Sequence, residues 1–425
     1  MSLDRTLAPD FQTIETVSIP PLQTYLLDNG LPVHVVNIGE QPVMRLELVA
    51  NAGSWYETLP GVSYFTIKML GEGTSRHSSK QISEFFDQYG AFTDYVHGMD
   101  RAGFTLFGLT KHLAQLLPMV QELLTEAIFP EKELANLKRI TEQNLQVNLE
   151  KTAYVATQTF RRKLFGSSHP YGRSMDMDMI DSVYKEDLLE YYQQFIKGAP
   201  FTIFLSGKIS EAEVALLNQY LGVLPVLARN QVVNHSVASS FPSAELVEKD
   251  ASLQSSIRLG KPFITRHHPD FCKAVVLNEV LGGYFGSRLM KNIREEKGFT
   301  YGISSQLVSL SKGAYWVVGT DVKREFTSQT VDEIYKEIKR LQTELVPADE
   351  LETVKNFLSG EFAGSLNTPF EIMDRHKIIM LEQLPSDFYN VFLPTIRQVS
   401  AEDVLQMANE LLALDSLHEV VVGGK

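Results

Sequence analysis

The stretch Gly53–Thr74, GSWYETLPGVSYFTIKMLGEGT, decides how the rest of the chain is interpreted. It opens as a loop and leaves through two closely spaced glycines, Gly71 and Gly73. Between these turns, apolar side chains recur at the three- and four-residue steps that put them on one face of a helix: Val62, Phe65, Ile67, Met69 and Leu70. The pattern alone predicts a buried helix between two glycine-marked turns, and most such helices carry no chemistry.

The same stretch resembles the zinc-site segment of the pitrilysin, insulinase and mitochondrial processing peptidase family. In that family the segment reads roughly G-S-x-x-E, a short gap, G-x-x-H-x-x-E-H-M-L and then G-T. This chain matches the frame outside the metal motif, at Gly53, Ser54, Glu57, Gly61, Met69, Leu70, Gly73 and Thr74. The resemblance covers nearly the whole chain, and it implies two homologous α+β units that face one another across a chamber.

The metal motif itself is missing from this frame. In the inverted zinc motif, two His one helical turn apart hold the metal, and a Glu between them activates water. The three positions are Tyr64, Ile67 and Lys68 here, and a cation at Lys68 would repel zinc. By the resemblance, the family's distant Glu-Glu pair falls on Gln143-Asn144, with Glu142 within reach of a shifted alignment. We therefore expect no catalytic metal site in this chain.

A second candidate site lies in the run Ile293–Gly302, IREEKGFTYG. The run resembles the family's C-terminal signature, whose Arg and Tyr point into the chamber and contact the bound peptide; these are Arg294 and Tyr301 here. From the residues alone, a left-handed Gly298 after a helix end would bring both side chains to one edge. A guanidinium can donate to a peptide carbonyl or carboxylate, and a phenol to a developing oxyanion. The structural alternative is an Arg that complements a helix dipole and an ordinary strand Tyr.

Composition limits the classes of function. A chain of 425 residues with 44% hydrophobic residues can fold into two or three domains. The net charge of -13 argues against a nucleic-acid partner. Cys272 is the only cysteine, which excludes a disulfide framework and a cysteine-based zinc site. The N-terminus has no secretory signal pattern, and no apolar run is long enough to span a membrane, so we expect a cytoplasmic protein without membrane contact.

The pattern of strands and helices repeats on either side of an aperiodic segment at residues 228–245. We predict an N-terminal peptidase-like domain over residues 1–227, a linker over 228–245, and a C-terminal domain over 246–425 that carries the Arg/Tyr pair. Four pairs of identical residues are each separated by 217 positions: Pro130/Pro347, Glu133/Glu350, Leu134/Leu351 and Lys138/Lys355. Together with the mixture of hairpins and helices, they predict an α+β fold built by tandem duplication.

With the resemblance, these observations indicate the non-metal subunit of a two-chain zinc metallopeptidase that acts on peptides or unfolded polypeptides. A homologous partner with the H-x-x-E-H motif would bind the zinc. This chain would bind no cofactor, would be inactive alone, and would supply Arg294 and Tyr301 from the opposite wall.

Two other interpretations and one question of assembly remain open. The first is a catalytically inactive scaffold or peptide-binding protein of the same fold, like the family's structural members in respiratory complexes. The second is an independent enzyme with another metal site, for which no ligand set can be assembled from the sequence. The sequence also leaves open whether the chain forms a homodimer when its partner is missing.

Overall fold

A six-stranded sheet forms the centre of the N-terminal half. The computed structural model describes residues 13–227, 234–235 and 241–424. The strands of this first sheet are β1 Gln23–Leu26, β2 Pro32–Asn37, β3 Val43–Ala50, β4 Phe92–His97, β5 Ala102–Leu109 and β6 Thr202–Gly207. Their order is β1-β2-β6-β3-β5-β4, with β2 and β6 parallel and the other neighbouring pairs antiparallel. A mixed sheet of this kind belongs to an α+β fold.

The helices of this half connect its strands, and all of them except α5 belong to the layers around the first sheet. They are α1 Val62–Lys68, α2 Ser79–Gln88, α3 Leu113–Glu126, α4 Glu131–Glu150, α5 Thr152–Phe165, α6 Met177–Ser182, α7 Lys185–Phe195 and α8 Glu211–Leu221. The apolar face of α1 predicted from its spacing is buried, since Phe65 and Ile67 are at most 1% exposed in the core of this half.

A second, five-stranded sheet forms the centre of the C-terminal half, in the order β7-β11-β8-β10-β9. Its strands are β7 Ala244–Glu248, β8 Gln254–Pro262, β9 Thr300–Leu310, β10 Gly313–Lys323 and β11 His418–Gly423. The helices of this half are α9 Phe271–Asn278, α10 Thr327–Thr343, α11 Ala348–Gly364, α12 Pro369–Glu382, α13 Phe388–Gln398 and α14 Ala401–Leu411. Two π-helical turns, Glu279–Gly283 and Met290–Glu296, lie between α9 and β9.

The two halves share one connectivity. Strands β2-β6-β3-β5-β4 of the first sheet correspond in order and direction to β7-β11-β8-β10-β9 of the second, including the single parallel pair in each series. The helices α4 and α11 begin directly after Pro130 and Pro347, and each follows the helix that leaves the corresponding strand. The prediction of two homologous α+β domains from a tandem duplication is therefore confirmed.

Each half covers part of the other half's sheet with one helix. Phe160 of α5 packs with Val420 and Val422 of the second sheet. Met373 of α12 packs with Val36 and Phe204 of the first sheet. Ion pairs reinforce the second contact, from Arg45 to Asp374 and from Lys377 to Glu47. Because α5 and α12 are equivalent in the repeat, the contact between the halves is itself approximately symmetric.

Several predictions concern segments between or outside these elements. Most of the predicted linker, residues 228–233 and 236–240, lies outside the described residues, and its last two residues begin strand β7 at Ala244. The domain boundaries therefore stay a prediction. Among residues 13–227, 234–235 and 241–424, no helix has the length and apolarity needed to cross a bilayer. The cytoplasmic location likewise stays a prediction.

Candidate functional site

A cavity of about 510 Å³ opens beside α1 in the N-terminal half, and we call it the first-domain cavity. Its lining includes Tyr64 of α1, His97 at the end of β4 and Asn144 of α4. Two of the positions equivalent to the family's zinc ligands, Tyr64 and Asn144, therefore face the same space. The neighbouring Gln143 is exposed and does not line the cavity, and neither does Glu142.

The other two motif positions have structural roles. Ile67 is 1% exposed and belongs to the core of the first domain. The Lys68 ammonium donates to the backbone oxygen of Tyr95 at 2.6 Å and lies 4.0 Å from the Asp94 carboxylate. An alkyl group in the core and an ammonium engaged with β4 leave neither position able to bind a metal or activate water.

A polar network replaces the metal site on the inner wall of the first-domain cavity. The Ser63 hydroxyl donates to Glu57 Oε2 at 2.6 Å, and the Ser63 amide donates to the same oxygen at 3.2 Å. The other Glu57 oxygen pairs with the Arg173 guanidinium. His97 Nε2 lies 2.8 Å from the Ser63 hydroxyl oxygen, and the Tyr64 ring packs edge-on against the imidazole with 5.6 Å between ring centroids. The network satisfies a carboxylate whose side chain is only 3% exposed.

The direction of these hydrogen bonds excludes a serine nucleophile. Because Ser63 donates its proton to Glu57, His97 Nε2 carries a hydrogen and donates to the Ser63 oxygen. In a catalytic triad the imidazole would accept that proton, and the carboxylate would hold the imidazole. Burial, followed by the nearby charge of Lys68, lowers the pKa of His97 to about 4, so the ring is neutral at physiological pH. Ser63 is also fully buried, which denies it access to a substrate.

The described residues offer no site for a metal ion. Within the part of the chain that the structure describes, no three His, Cys, Asp or Glu side chains are grouped closely enough to hold one. Near the motif positions, the first-domain cavity is lined by the Tyr64 phenol, the Asn144 amide, a neutral His97 imidazole bonded to Ser63, and the Glu57 carboxylate, which is paired with Arg173. This set does not fit zinc, because its imidazole and its carboxylate are already engaged and no further imidazole, thiolate or carboxylate of the described residues joins them.

Arg294 and Tyr301 lie in the C-terminal half, on neighbouring elements of the chain. Arg294 is part of the π-helical turn Met290–Glu296, and its guanidinium lies 4.4 Å from the centroid of the Phe285 ring. Gly298 then adopts a φ of +65°, the left-handed conformation expected from the sequence. Tyr301 follows at the start of the edge strand β9 and is 95% exposed.

The structure places Tyr301 in a cavity that does not include Arg294. This cavity, of about 460 Å³, lies over the second sheet, and Tyr301, Arg258 and Tyr315 are among the side chains that line it. Thr157 of α5 lines both this cavity and the first-domain cavity, so α5 separates the two spaces. The catalytic role of Arg294 and Tyr301 stays a prediction, because it depends on a partner.

Sequence reasoning missed His97, Ser63 and Arg173. Their network joins residues from α1, β4 and the segment before α6, which no local spacing connects. Glu57 was visible as part of the family frame, but its pairing with Arg173 was not.

Comparison with known proteins identifies the family. Residues 33–170 match the model described as "Insulinase (Peptidase family M16)", and residues 182–358 match the model described as "Peptidase M16 inactive domain". The chain belongs to peptidase family M16, as the stretch Gly53–Thr74 indicated. In this member of the family, the positions of the zinc motif are Tyr64, Ile67 and Lys68.

Individual relatives extend over most of the chain. An uncharacterized zinc protease, YmxG, of Bacillus subtilis is 22% identical over 84% of this chain and 87% of its own length. A non-peptidase homolog, YmxG, of Helicobacter pylori is 23% identical over 86% of this chain and 85% of its own. The crystal structure of a peptidase M16 inactive domain from Pseudomonas fluorescens superposes with a TM-score of 0.85 at 24% identity, covering 95% of this chain and 98% of that one. This structural likeness shows the shared fold.

Proposed function

We propose that this protein is the non-metal subunit of a two-chain M16 metallopeptidase that cleaves peptides or unfolded polypeptides. A homologous partner with the H-x-x-E-H motif would bind zinc and activate water. This chain would close the chamber from the opposite side, where Arg294 holds the peptide and Tyr301 donates to the oxyanion that forms at the scissile carbonyl.

The observation that carries the proposal is the contrast between the two candidate sites. At the first, two of the motif positions stabilise the fold: Ile67 lies in the core, and Lys68 donates to the backbone oxygen of Tyr95. The second keeps Tyr301 95% exposed at a strand edge, although an aromatic ring gains nothing for the fold from full exposure to solvent. An exposed Tyr beside a cavity is suited to a contact made with another molecule.

The chemistry assigned to each residue predicts a different kinetic defect. Arg294 would bind the peptide backbone or a carboxylate in the ground state, so Arg294→Ala should mainly raise KM. Tyr301→Phe keeps the ring and removes one donor to the oxyanion, so it should lower kcat on the order of a hundredfold. The measurement is steady-state kinetics of the reconstituted pair, with the partner identified by pull-down as a chain that carries H-x-x-E-H.

The controls separate catalysis from folding. Tyr184→Phe removes a hydroxyl from another exposed tyrosine, 63% exposed, and should leave the kinetics unchanged. Melting temperature and subunit association are recorded for each variant. If both variants show unchanged kinetics per folded complex, or if no zinc-motif chain co-purifies, the scaffold interpretation replaces this one. About one zinc per chain in the isolated protein, removable together with peptidase activity, would also overturn the proposal.

A further inference from the structure

A third cavity, of about 460 Å³, lies in the C-terminal half at the place equivalent to the first-domain cavity, and we call it the second-domain cavity. It lies between α9, β9 and α11, as the first-domain cavity lies between α1, β4 and α4. Lining positions of the equivalent helices correspond at the repeat distance of 217 residues, among them Thr141/Leu358, Asn144/Glu361, Leu145/Phe362 and Gln158/Arg375. The duplication has therefore produced two cavities at corresponding places.

Their polar contents differ. In the second-domain cavity, Glu361 occupies the position of Asn144, and Glu279 joins it from the turn that follows α9. Glu279 Oε2 is buried without a hydrogen-bond partner among the described residues. The carboxyl group lies over Gly283, so close that a Cβ atom there would come within 2.4 Å of it. Because residue 283 is a glycine, the cavity wall has room for the Glu279 carboxylate.

The rest of the wall is aromatic and contains two arginines. The rings are Phe271, Phe362, Phe388, Tyr389 and Phe392. Arg266 is neutralised by Glu382 at 2.5 Å, while Arg375 lies over the rings of Phe362 and Tyr389 and donates to Ser365. Glu361 is exposed, and among the described residues Arg375 makes no ion pair with Glu279 or with Glu361.

We propose that the second-domain cavity binds the basic side chain of a peptide, with Glu279 and Glu361 as its anionic partners and the aromatic rings around its aliphatic part. A buried carboxylate without a partner is costly, and a guanidinium or ammonium would satisfy it. Aromatic faces add a favourable interaction with the cation. This site needs no partner subunit, so it stands apart from the proposed catalytic role of Arg294 and Tyr301.

Other ligand classes fit the cavity less well. A divalent metal would need a third carboxylate or imidazole ligand, and no such group of three exists among the described residues. A purely apolar ligand would fill the aromatic part and leave Glu279 Oε2 without a partner. A basic side chain would pair with the carboxylates through its charged group and pack against the aromatic rings through its aliphatic part.

The test compares two capped tripeptides on the isolated full-length chain by calorimetry, one with a central arginine and one with citrulline, which keeps the shape and removes the charge. We expect the arginine peptide to bind at least tenfold more tightly. Glu279→Gln should remove this preference. Gly283→Ala keeps every charge and should also remove it, because the new Cβ displaces the Glu279 carboxyl. Glu344→Gln, at an exposed carboxylate elsewhere, is the matched control.

The pH dependence gives a second readout. Burial, followed by repulsion from Glu361, raises the pKa of Glu279 to about 7; Arg266, Arg375 and Tyr389 are the other titratable groups of the lining. Binding of the arginine peptide should therefore tighten up to about tenfold between pH 6 and pH 8. Equal binding of the two peptides, or full arginine preference in a folded Glu279→Gln protein, would overturn the proposal. So would binding of zinc or calcium that depends on Glu279.

Discussion

The first-domain and second-domain cavities occupy the same place in two copies of one connectivity, yet their polar groups are in different states. In the first, the Glu57 carboxylate is paired with Arg173 and Ser63, and His97 is neutral and bonded. In the second, Glu279 has a buried oxygen without a partner among the described residues. The same scaffold thus contains one cavity whose buried carboxylate is paired internally and one whose buried carboxylate is not.

This difference shows that hydrogen-bond satisfaction can distinguish polar groups that stabilise the fold from polar groups that are available to a ligand. A satisfied network such as Glu57–Ser63–His97 stabilises the fold and offers nothing to a substrate. An unsatisfied carboxylate destabilises the fold, and proteins commonly keep such groups where function requires them. By this criterion, the carboxylate of the second-domain cavity is the one available to a ligand.

The largest expected effect is a loss of stability on substitution of Ile67, the core residue at the motif position of α1. Ile67→Glu restores the family's catalytic residue type, but it puts a carboxylate into a core position that is 1% exposed. We expect a loss of about 4 kcal/mol or more in the free energy of unfolding, measured by urea denaturation. Ile67→Val, the matched control, should cost about 1 kcal/mol. A well-tolerated glutamate would mean that this helix face can open toward the cavity.

The next effect concerns His97 and pH. Its pKa of about 4 in the folded protein lies below its ordinary value of 6.5, so the unfolded chain binds a proton first as pH falls. Stability from this group is therefore complete above pH 6.5 and decreases toward pH 4, by about 3 kcal/mol. His97→Gln keeps a donor for Ser63 and does not titrate, so its stability should fall less over this range. If wild type and His97→Gln lose the same free energy of unfolding between pH 7 and pH 4.5, measured by urea denaturation, this assignment is wrong.

The stability contributed by Glu279 should depend on pH with the opposite sign. Its pKa is raised to about 7 from 4.5, so the unfolded chain releases its proton first as pH rises. The wild-type protein therefore loses stability between pH 4.5 and 7, and Glu279→Gln should be more stable than wild type at pH 8 by up to about 3 kcal/mol. Thermal melts at pH 4.5 and pH 8 measure the difference. A destabilised variant at pH 8 would show that Glu279 has a partner that stabilises its charge.

The smallest expected effect concerns two glycine turns that occupy similar places in the two halves. Gly90 before β4 and Gly298 before β9 have φ values of +59° and +65°, and a Cβ atom added at either position would meet open space. Alanine at either position should cost about 1 kcal/mol from backbone strain alone. Gly302→Ala also meets open space but has no positive φ, so it should cost nothing measurable. Unequal melting-temperature losses at Gly90 and Gly298 would show that the two turns are not equivalent.

The sequence predicted much of the fold because its strongest signals are local or periodic. The apolar spacing in Val62–Leu70, the prolines before α4 and α11, and the 217-residue repeat all report on short segments or on their copies. The residue types at the motif positions, Tyr64, Ile67 and Lys68, can likewise be identified from a short segment.

By itself, then, the sequence determined the family, the duplicated α+β architecture and the absence of zinc-ligand residue types from the motif. Only the tertiary structure decided that Tyr64 faces a cavity while Ile67 joins the core, and that Glu57 meets Arg173. It also brought Glu279 and Glu361 to one cavity from separate helical segments. The physical reason is that burial, pairing and pKa depend on which elements pack together, and these elements lie far apart in the chain.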